Sequence, residues 1–188
     1  SGKMGFAVAK EAADAGARVT LIAGPVSLAT PPRVTRLDVE STQQMFDTAM
    51  AHLDDVDIYI GAAAIADYRP EQPSAQKIKK SADTMTLELK RAPDLLRSIA
   101  ALDDGPFTVG FAAETEKLEE YAMRKLESKR LDMIVANQVG ENLCFDADDN
   151  ELVVLWGDGR QPMPKASKAA LAIDLVEVIA QRYSTTQN

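Results

Sequence analysis

The chain is poor in residues that cross-link or ligate. It holds one cysteine, Cys144, and one histidine, His52. A single cysteine permits no internal disulfide, so a reducing cytoplasm is the expected location. Cys144 sits in a polar stretch without a nearby histidine, which argues against a thiol nucleophile. No His/Cys cluster has the spacing of a zinc site. His52 falls near the end of an expected helix, where a surface or capping role outweighs catalysis. Positive charge is scarce too. Lys and Arg number 21 against 29 Asp and Glu, a formal net charge of -8. That argues against nucleic acid as the main partner, because phosphate backbones demand a basic surface. A small phosphorylated ligand needs only a local cluster of cations. No apolar run approaches the ~20 residues that cross a bilayer, and the first residues carry no signal-peptide pattern.

What is present suits one α/β domain. The chain has 188 residues, 46% of them hydrophobic, enough for one core. Residues 4–15 show helical spacing, and Gly16 is a natural stop. "ARVTLIAG" (17–24) and "VDIYIGAAA" (56–64) read as buried strands, and "RVTRLDV" (33–39) as a more exposed one. Ser41 or Thr42 caps a helix to about His52. "TMTLELK" (84–90) alternates like a half-exposed strand. "APDLLRSIAAL" (92–102) reads as a helix with Pro93 and Asp94 in its first turn. "FTVGFAAE" (107–114) is a strand, 115–130 a charged amphipathic helix, and "LDMIVAN" (131–137) a buried strand. A hairpin about "GDG" joins 150–156 to 159–165, and Trp156 is a hairpin or core aromatic. The last helix covers 166–182, with "STTQN" frayed. Alternating elements with near-continuous apolar strands imply a doubly wound, mainly parallel, Rossmann-like sheet. Helices cover both its faces, and a small β extension is added.

Ligands in such sheets bind beyond the carboxyl ends of the strands. That places "SGKMG", "GPVSL" and "GAAAIADYRP" on one rim. "SGKMG" offers free N–H groups to an anion, or is only a tight turn into a helix. In "GAAAIADYRP" the small residues admit a flat base or ribose, with Asp67 as acceptor. The alternative is a solvated strand end with Arg69 paired to Asp67. "KIKK" puts Lys77, Lys79 and Lys80 on a polar loop, either solvated or closing on phosphate. Lys125 and Lys129 share a helix face. Glu120 and Glu127 face Arg124 instead, Lys129 has only Asp132 in helical reach, and Lys125 has no acid there. Tyr121 and Lys125 spell Y-x-x-x-K, a pair used by NAD(P)-dependent short-chain reductases, without that family's Gly-rich loop.

Read in order, "SGKMGFAVA", "GPVSLATPP", "GAAAIADYRP", "KIKK", "RAPDLL", "GFAAET" and "KLESKRLDMIVAN" resemble stretches of phosphopantothenate–cysteine ligase. The resemblance spans nearly the whole chain and is closest to the bacterial CTP-dependent type. That type is commonly the C-terminal half of a bifunctional coenzyme A biosynthesis protein, fused to a flavin-dependent decarboxylase that alone carries FMN. The resemblance implies a CTP- and Mg2+-dependent cytoplasmic ligase joining 4′-phosphopantothenate to L-cysteine. In that family the carboxylate attacks the α-phosphate, giving an acyl-cytidylate and pyrophosphate, and the cysteine amine then displaces CMP. Carried over, Gly61, Ala62 and Ala63 line the nucleotide and Asp67 hydrogen-bonds it. Pro93, Asp94, Leu95 and Leu96 contact it, Phe111 packs on base or ribose, and Lys125 and Lys129 hold the triphosphate. Lys77 is the catalytic cation near the α-phosphate. The resemblance also implies a homodimer. The family's Asn before "SGKMG" is absent, so a single CTP-binding domain over 1–188, lacking its upstream strand and loop, is expected. Two other readings stand beside the ligase: the reductase through Tyr121 and Lys125, and a non-catalytic nucleotide-binding module.

Overall fold

Gly2 turns the chain at φ 75°, a left-handed conformation that glycine adopts without penalty, into α1 (Lys3–Asp14). Helix α1 ends at Ala15, and Gly16 follows at φ 98°, the expected glycine stop. Strands β1 (Val19–Ala23) and β2 (Val34–Asp38) run parallel, with Leu21 opposite Arg36. Helix α2 (Thr42–Met50) starts at Ser41, where Ser41 and Gln44 form a reciprocal capping box. The chain continues through β3 (Ile58–Gly61), β4 (Tyr68–Pro70), β5 (Leu89–Arg91), α3 (Leu95–Ala100) and β6 (Phe107–Glu114). Then come α4 (Leu118–Lys129), β7 (Met133–Gln138), β8 (Asp149–Trp156), β9 (Gly159–Ser167) and α5 (Lys168–Thr186). The computed structural model describes residues 1–74, 76–79, 83–114, 116–138 and 149–187. Lys80 and Cys144 lie outside them.

The main sheet has five strands in the order β3-β6-β7-β8-β9. Strands β3, β6 and β7 are parallel, and β8 and β9 add an antiparallel hairpin. Strand alternation sends Val109, Met133, Val135, Leu152 and Val154 to one face, where Leu171 and Leu175 of α5 and Val8 of α1 cover them. Ala112, Ile134, Ala136 and Leu155 point to the other face, under Ala122 and Leu126 of α4. Met133, Ile134, Val135 and Ala136 are fully enclosed. Each large member of that run contributes about 1.5–3 kcal/mol by leaving water. Helices on both faces of this mixed sheet, parallel over β3-β6-β7 and antiparallel over β7-β8-β9, give the Rossmann-like α/β fold expected from the sequence.

Local details differ from the sequence expectations. Strands β1 and β3 are half-buried, not fully buried. Among the described residues β1 pairs with β2 and β3 with β6, and both border one cleft. The strand expected over 84–90 begins only at Leu89, and Met85, Leu87 and Leu89 are exposed. Its partner β4 is three residues long, so this arm offers no second layer to bury an alternating face. Helix α3 is shorter than expected. Asp94 caps it rather than entering its first turn, and Pro93 precedes the cap. Helix α5 runs on to Thr186 instead of fraying, with the hydroxyls of Ser184, Thr185 and Thr186 donating to carbonyls of the preceding turn.

Candidate functional site

A cleft of about 2310 Å3 runs along the whole of β1 and β3 and extends past their carboxyl ends. Gly61, Ala62 and Ala63 form part of its wall where β3 ends, and Asp67 lines it before β4. Gly61 and Gly110 are register partners on β3 and β6. Added Cβ atoms there would lie 3.2 Å and 2.8 Å from the Leu96 side chain. The lack of a side chain at Gly110, and to a lesser degree at Gly61, lets α3 settle this low on the sheet. That brings Pro93, Asp94, Leu95 and Leu96 to the cleft wall.

Two lysines enter from α4. Lys125 is partly buried, and its Nζ donates to the Phe111 carbonyl at 2.8 Å. Burial pushes its pKa below the ordinary lysine value and Lys129 adds repulsion, while Glu114, Asp67 and Asp94 oppose the shift. Lys129 Nζ lies 2.7 Å from Asp94 Oδ2. Partial burial raises the Asp94 carboxyl, but the Lys129 hydrogen bond and the Arg97 N–H outweigh it and hold the pKa below the ordinary value. Helical spacing did not reveal this partner, because Lys129 and Asp94 are 35 residues apart. The expected pairing of Arg124 with Glu120 is present at 2.6 Å.

The carboxyl end of this cleft thus gathers Gly61, Ala62, Ala63, Asp67, Pro93, Asp94, Leu95, Leu96, Phe111, Lys125 and Lys129. Lys77 is not among its lining residues and sits on an exposed segment. Asp67 and Arg69 form no ion pair among the described residues, and the buried Arg69 Nε has no hydrogen-bond partner. The Tyr121 ring carries the Arg124 guanidinium, 5.8 Å from its centroid, while Lys125 is directed to Phe111. His52 is exposed, with Nδ1 2.8 Å from the Thr48 carbonyl at the end of α2. Trp156 borders the core and carries Arg182, 4.9 Å from its ring centroid.

Asn137 and Glu114 were missed by sequence reasoning. Asn137 lines the cleft where β7 ends, and Glu114 ends β6 close enough to act on Lys125. A polar residue closing a buried strand was the signal available for both. Among the described residues no group of three or more His, Cys, Asp or Glu is arranged to hold a metal. No helix among them is long and apolar enough to cross a membrane. Chemically, the cleft joins small-residue walls for a flat ligand to two adjacent cations for an anion.

The profile of the DNA/pantothenate metabolism flavoprotein C-terminal domain matches residues 1–183. The coenzyme A biosynthesis bifunctional protein CoaBC of Vibrio vulnificus YJ016 is 48% identical over 183 residues, covering 95% of this chain and 46% of that protein. The chain therefore spans about half the length of such relatives. The crystal structure of the C-terminal domain of a CoaBC protein superposes with a TM-score of 0.81 at 33% identity, covering 100% of this chain and 85% of that one. A Cab2 mutant in complex with phosphopantothenate-cysteine has a TM-score of 0.77 at 14% identity, over 100% of this chain and 80% of that one, and shows the shared fold.

Proposed function

Because the chain belongs to the family of the DNA/pantothenate metabolism flavoprotein C-terminal domain, we propose that it is the CTP-dependent ligase unit joining 4′-phosphopantothenate to L-cysteine. The carrying observation is the meeting of Lys125 and Lys129 with the Gly61–Ala63 wall and Asp67 in one cleft. Relatives named as coenzyme A biosynthesis proteins, and a protein of the same fold solved with phosphopantothenate-cysteine, support the substrate class.

In this reading Gly61, Ala62 and Ala63 let the nucleotide approach the backbone, and Asp67 accepts hydrogen bonds from it. Phe111 packs on the base or ribose. Lys125 and Lys129 hold the triphosphate, and Lys129 exchanges Asp94 for phosphate when nucleotide arrives. Fixed cations favour the charge gathered as the substrate carboxylate attacks the α-phosphorus and pyrophosphate leaves. The cysteine amine then attacks the acyl carbon and CMP departs. Among the described residues no carboxylate cluster would hold Mg2+ by itself, so the ion would arrive with the nucleotide, where it would supply charge neutralisation for the leaving group. Lys77 would act once the loop that carries it folds over the ligand. Exposed Tyr68, Met85, Leu87 and Leu89 on the β4–β5 arm suit a second copy of the chain, and the cytoplasm suits the substrates.

Titration calorimetry of this chain with CTP and with ATP tests the reading, followed by pyrophosphate release on adding 4′-phosphopantothenate and Mg2+. Selective CTP binding is expected, with product formed once cysteine is added. No CTP binding at millimolar concentration would sink the proposal. CTP binding with no pyrophosphate release, even from a longer polypeptide carrying this domain, would favour the non-catalytic module instead. NAD(P)H binding would favour the reductase.

A further inference from the structure

Arg36 stands outside the residues assigned to the nucleotide, yet its side chain is only 15% exposed and ties three parts of the rim together. Nη1 donates to the Leu28 carbonyl at 2.6 Å and Nη2 to the Val26 carbonyl at 3.2 Å. Nε donates to Asp38 Oδ1 at 2.7 Å. The guanidinium lies over the Phe6 ring, 5.2 Å from its centroid. One planar fork thus joins the loop after β1, the end of β2 and the first turns of α1. The β1–β2 register fixes where the fork starts, with Arg36 opposite Leu21. A lysine supplies a single charged centre and cannot span these acceptors while stacking on the ring.

The held loop bears directly on the turn into α1. A Cβ at Gly2 would lie 3.3 Å from Val26 Cγ1 and 3.5 Å from Leu28 Cδ1. Ser1, Gly2, Gly24, Pro25 and Val26 line the same cleft and carry no nucleotide assignment. We infer that Arg36 is a positioning residue. By fixing Val26 and Leu28 against Gly2 it shapes the part of the cleft wall that carries no nucleotide assignment, which on the ligase reading is left for the phosphorylated acid. The identity of that acid rests on the ligase reading, whereas the clamp rests on the contacts of Arg36 alone.

The test compares Arg36→Met and Arg36→Lys with Arg33→Met. Arg33 is an exposed neighbour that pairs with Asp14. In Arg36→Met the {1H}-15N NOE values of Val26, Ser27 and Leu28 should fall while those of β6 and β7 hold. Affinity for 4′-phosphopantothenate should drop about tenfold, and that for CTP should stay within about twofold, because misplacing one wall of a site penalises the ligand it orients. Arg36→Lys should fail likewise, and full rescue by it would overturn the clamp. Unchanged NOE values in the loop would overturn it too. So would an equal loss of both ligands, which marks general destabilisation, or the same losses in Arg33→Met. If the unaltered chain binds no 4′-phosphopantothenate, the ligase reading fails and the NOE comparison alone decides the clamp.

Discussion

Lys129 reaches from the last turn of α4 to Asp94 at the head of α3, with Nζ 2.7 Å from Oδ2. The same carboxylate accepts the Arg97 N–H at 3.1 Å, so it both caps α3 and holds a cation. These duties separate by substitution. Asp94→Asn keeps a capping oxygen and loses the ion pair. Because both partners are partly exposed, its cost should stay below about 1 kcal/mol. Asp94→Ala loses the cap as well and should cost about 1 kcal/mol more. Urea unfolding of the two variants checks this order. The pH dependence follows from the depressed Asp94 pKa. Its contribution is present above the unfolded carboxyl value of about 3.9 and is lost as pH falls through the lower folded value. The stability gap between the unaltered chain and Asp94→Asn should therefore close as the pH is lowered from about 5 through that range.

Gly61 and Gly110 meet the same leucine with different tolerances. At Gly110 an added Cβ would lie 2.7 Å from Leu131 and 2.8 Å from Leu96, between packed side chains of the core. Gly110→Ala should destabilise by about 1–3 kcal/mol through overpacking. At Gly61 the closest approach is 3.2 Å, to the Leu96 side chain at the cleft wall. Gly61→Ala should cost little stability, because Leu96 can turn aside, and should lower CTP affinity more than it lowers the unfolding midpoint. Calorimetry and urea unfolding on both variants would show the contrast, and equal effects would refute it.

These pairs show what the sequence could and could not reveal. Strands such as Phe107–Glu114 were legible because a continuous apolar run ending in small residues has few other uses. The hairpin about Gly157 was legible because alternation resumes on both sides of a turn signal. The "TMTLELK" segment alternates as well, but alternation marks a strand only where a second layer covers one side. Gly61 and Asp67 were placed on the rim by the rule that parallel strands present their carboxyl ends together, whereas Lys125 joined them only through the family resemblance. The Lys129–Asp94 pair was not legible, since no local spacing encodes contacts between separate helices. Arg36 was hidden for the same reason, as its partners lie on a loop, a strand and a helix.

Thr108 is an enclosed polar side chain of the core, 1% exposed, and Asp132 satisfies it. Asp132 Oδ2 accepts the Thr108 N–H at 2.6 Å and its hydroxyl at 2.9 Å. This link closes the β6–α4–β7 crossover that carries Phe111 and Lys125. Asp132→Ala would leave both Thr108 donors unsatisfied and should cost about 1–3 kcal/mol. Thr108→Val in the same background removes the hydroxyl and should recover part of the loss. A double-mutant cycle by urea unfolding measures the coupling, and additive effects would show that the link carries no energy.

Lys125 makes nucleotide binding a proton-linked event. Burial and Lys129 lower its pKa in the free chain, so between that lowered value and the ordinary 10.5 the folded chain holds fewer protons here than the unfolded one. Folding stability from this group therefore rises with pH across that window. A bound triphosphate favours the ammonium and should draw the pKa back up. CTP binding should then take up protons within the window and none well below it. Calorimetry in buffers of different ionisation enthalpy measures the uptake, and Lys125→Met should abolish it. Uptake that persists in the variant would assign the linkage to another group.

Lys77 supplies the sharpest test of how the site completes itself. It is exposed and does not line the cleft, whereas Lys125 and Lys129 do. If its role begins only when the loop that carries it closes, it contributes little to the first encounter with CTP and much to charge developing at the α-phosphate. Lys77→Gln should keep CTP affinity within about threefold, which calorimetry on this chain can read. In a longer, active polypeptide carrying this domain it should slow formation or turnover of the acyl-cytidylate by about 100-fold, the usual scale for losing one electrostatic contact made in the transition state. Lys129→Met should show the reverse pattern, with CTP affinity reduced first. Full turnover with Lys77→Gln would remove Lys77 from the reaction and leave the cations of α4 as the chain's electrostatic machinery.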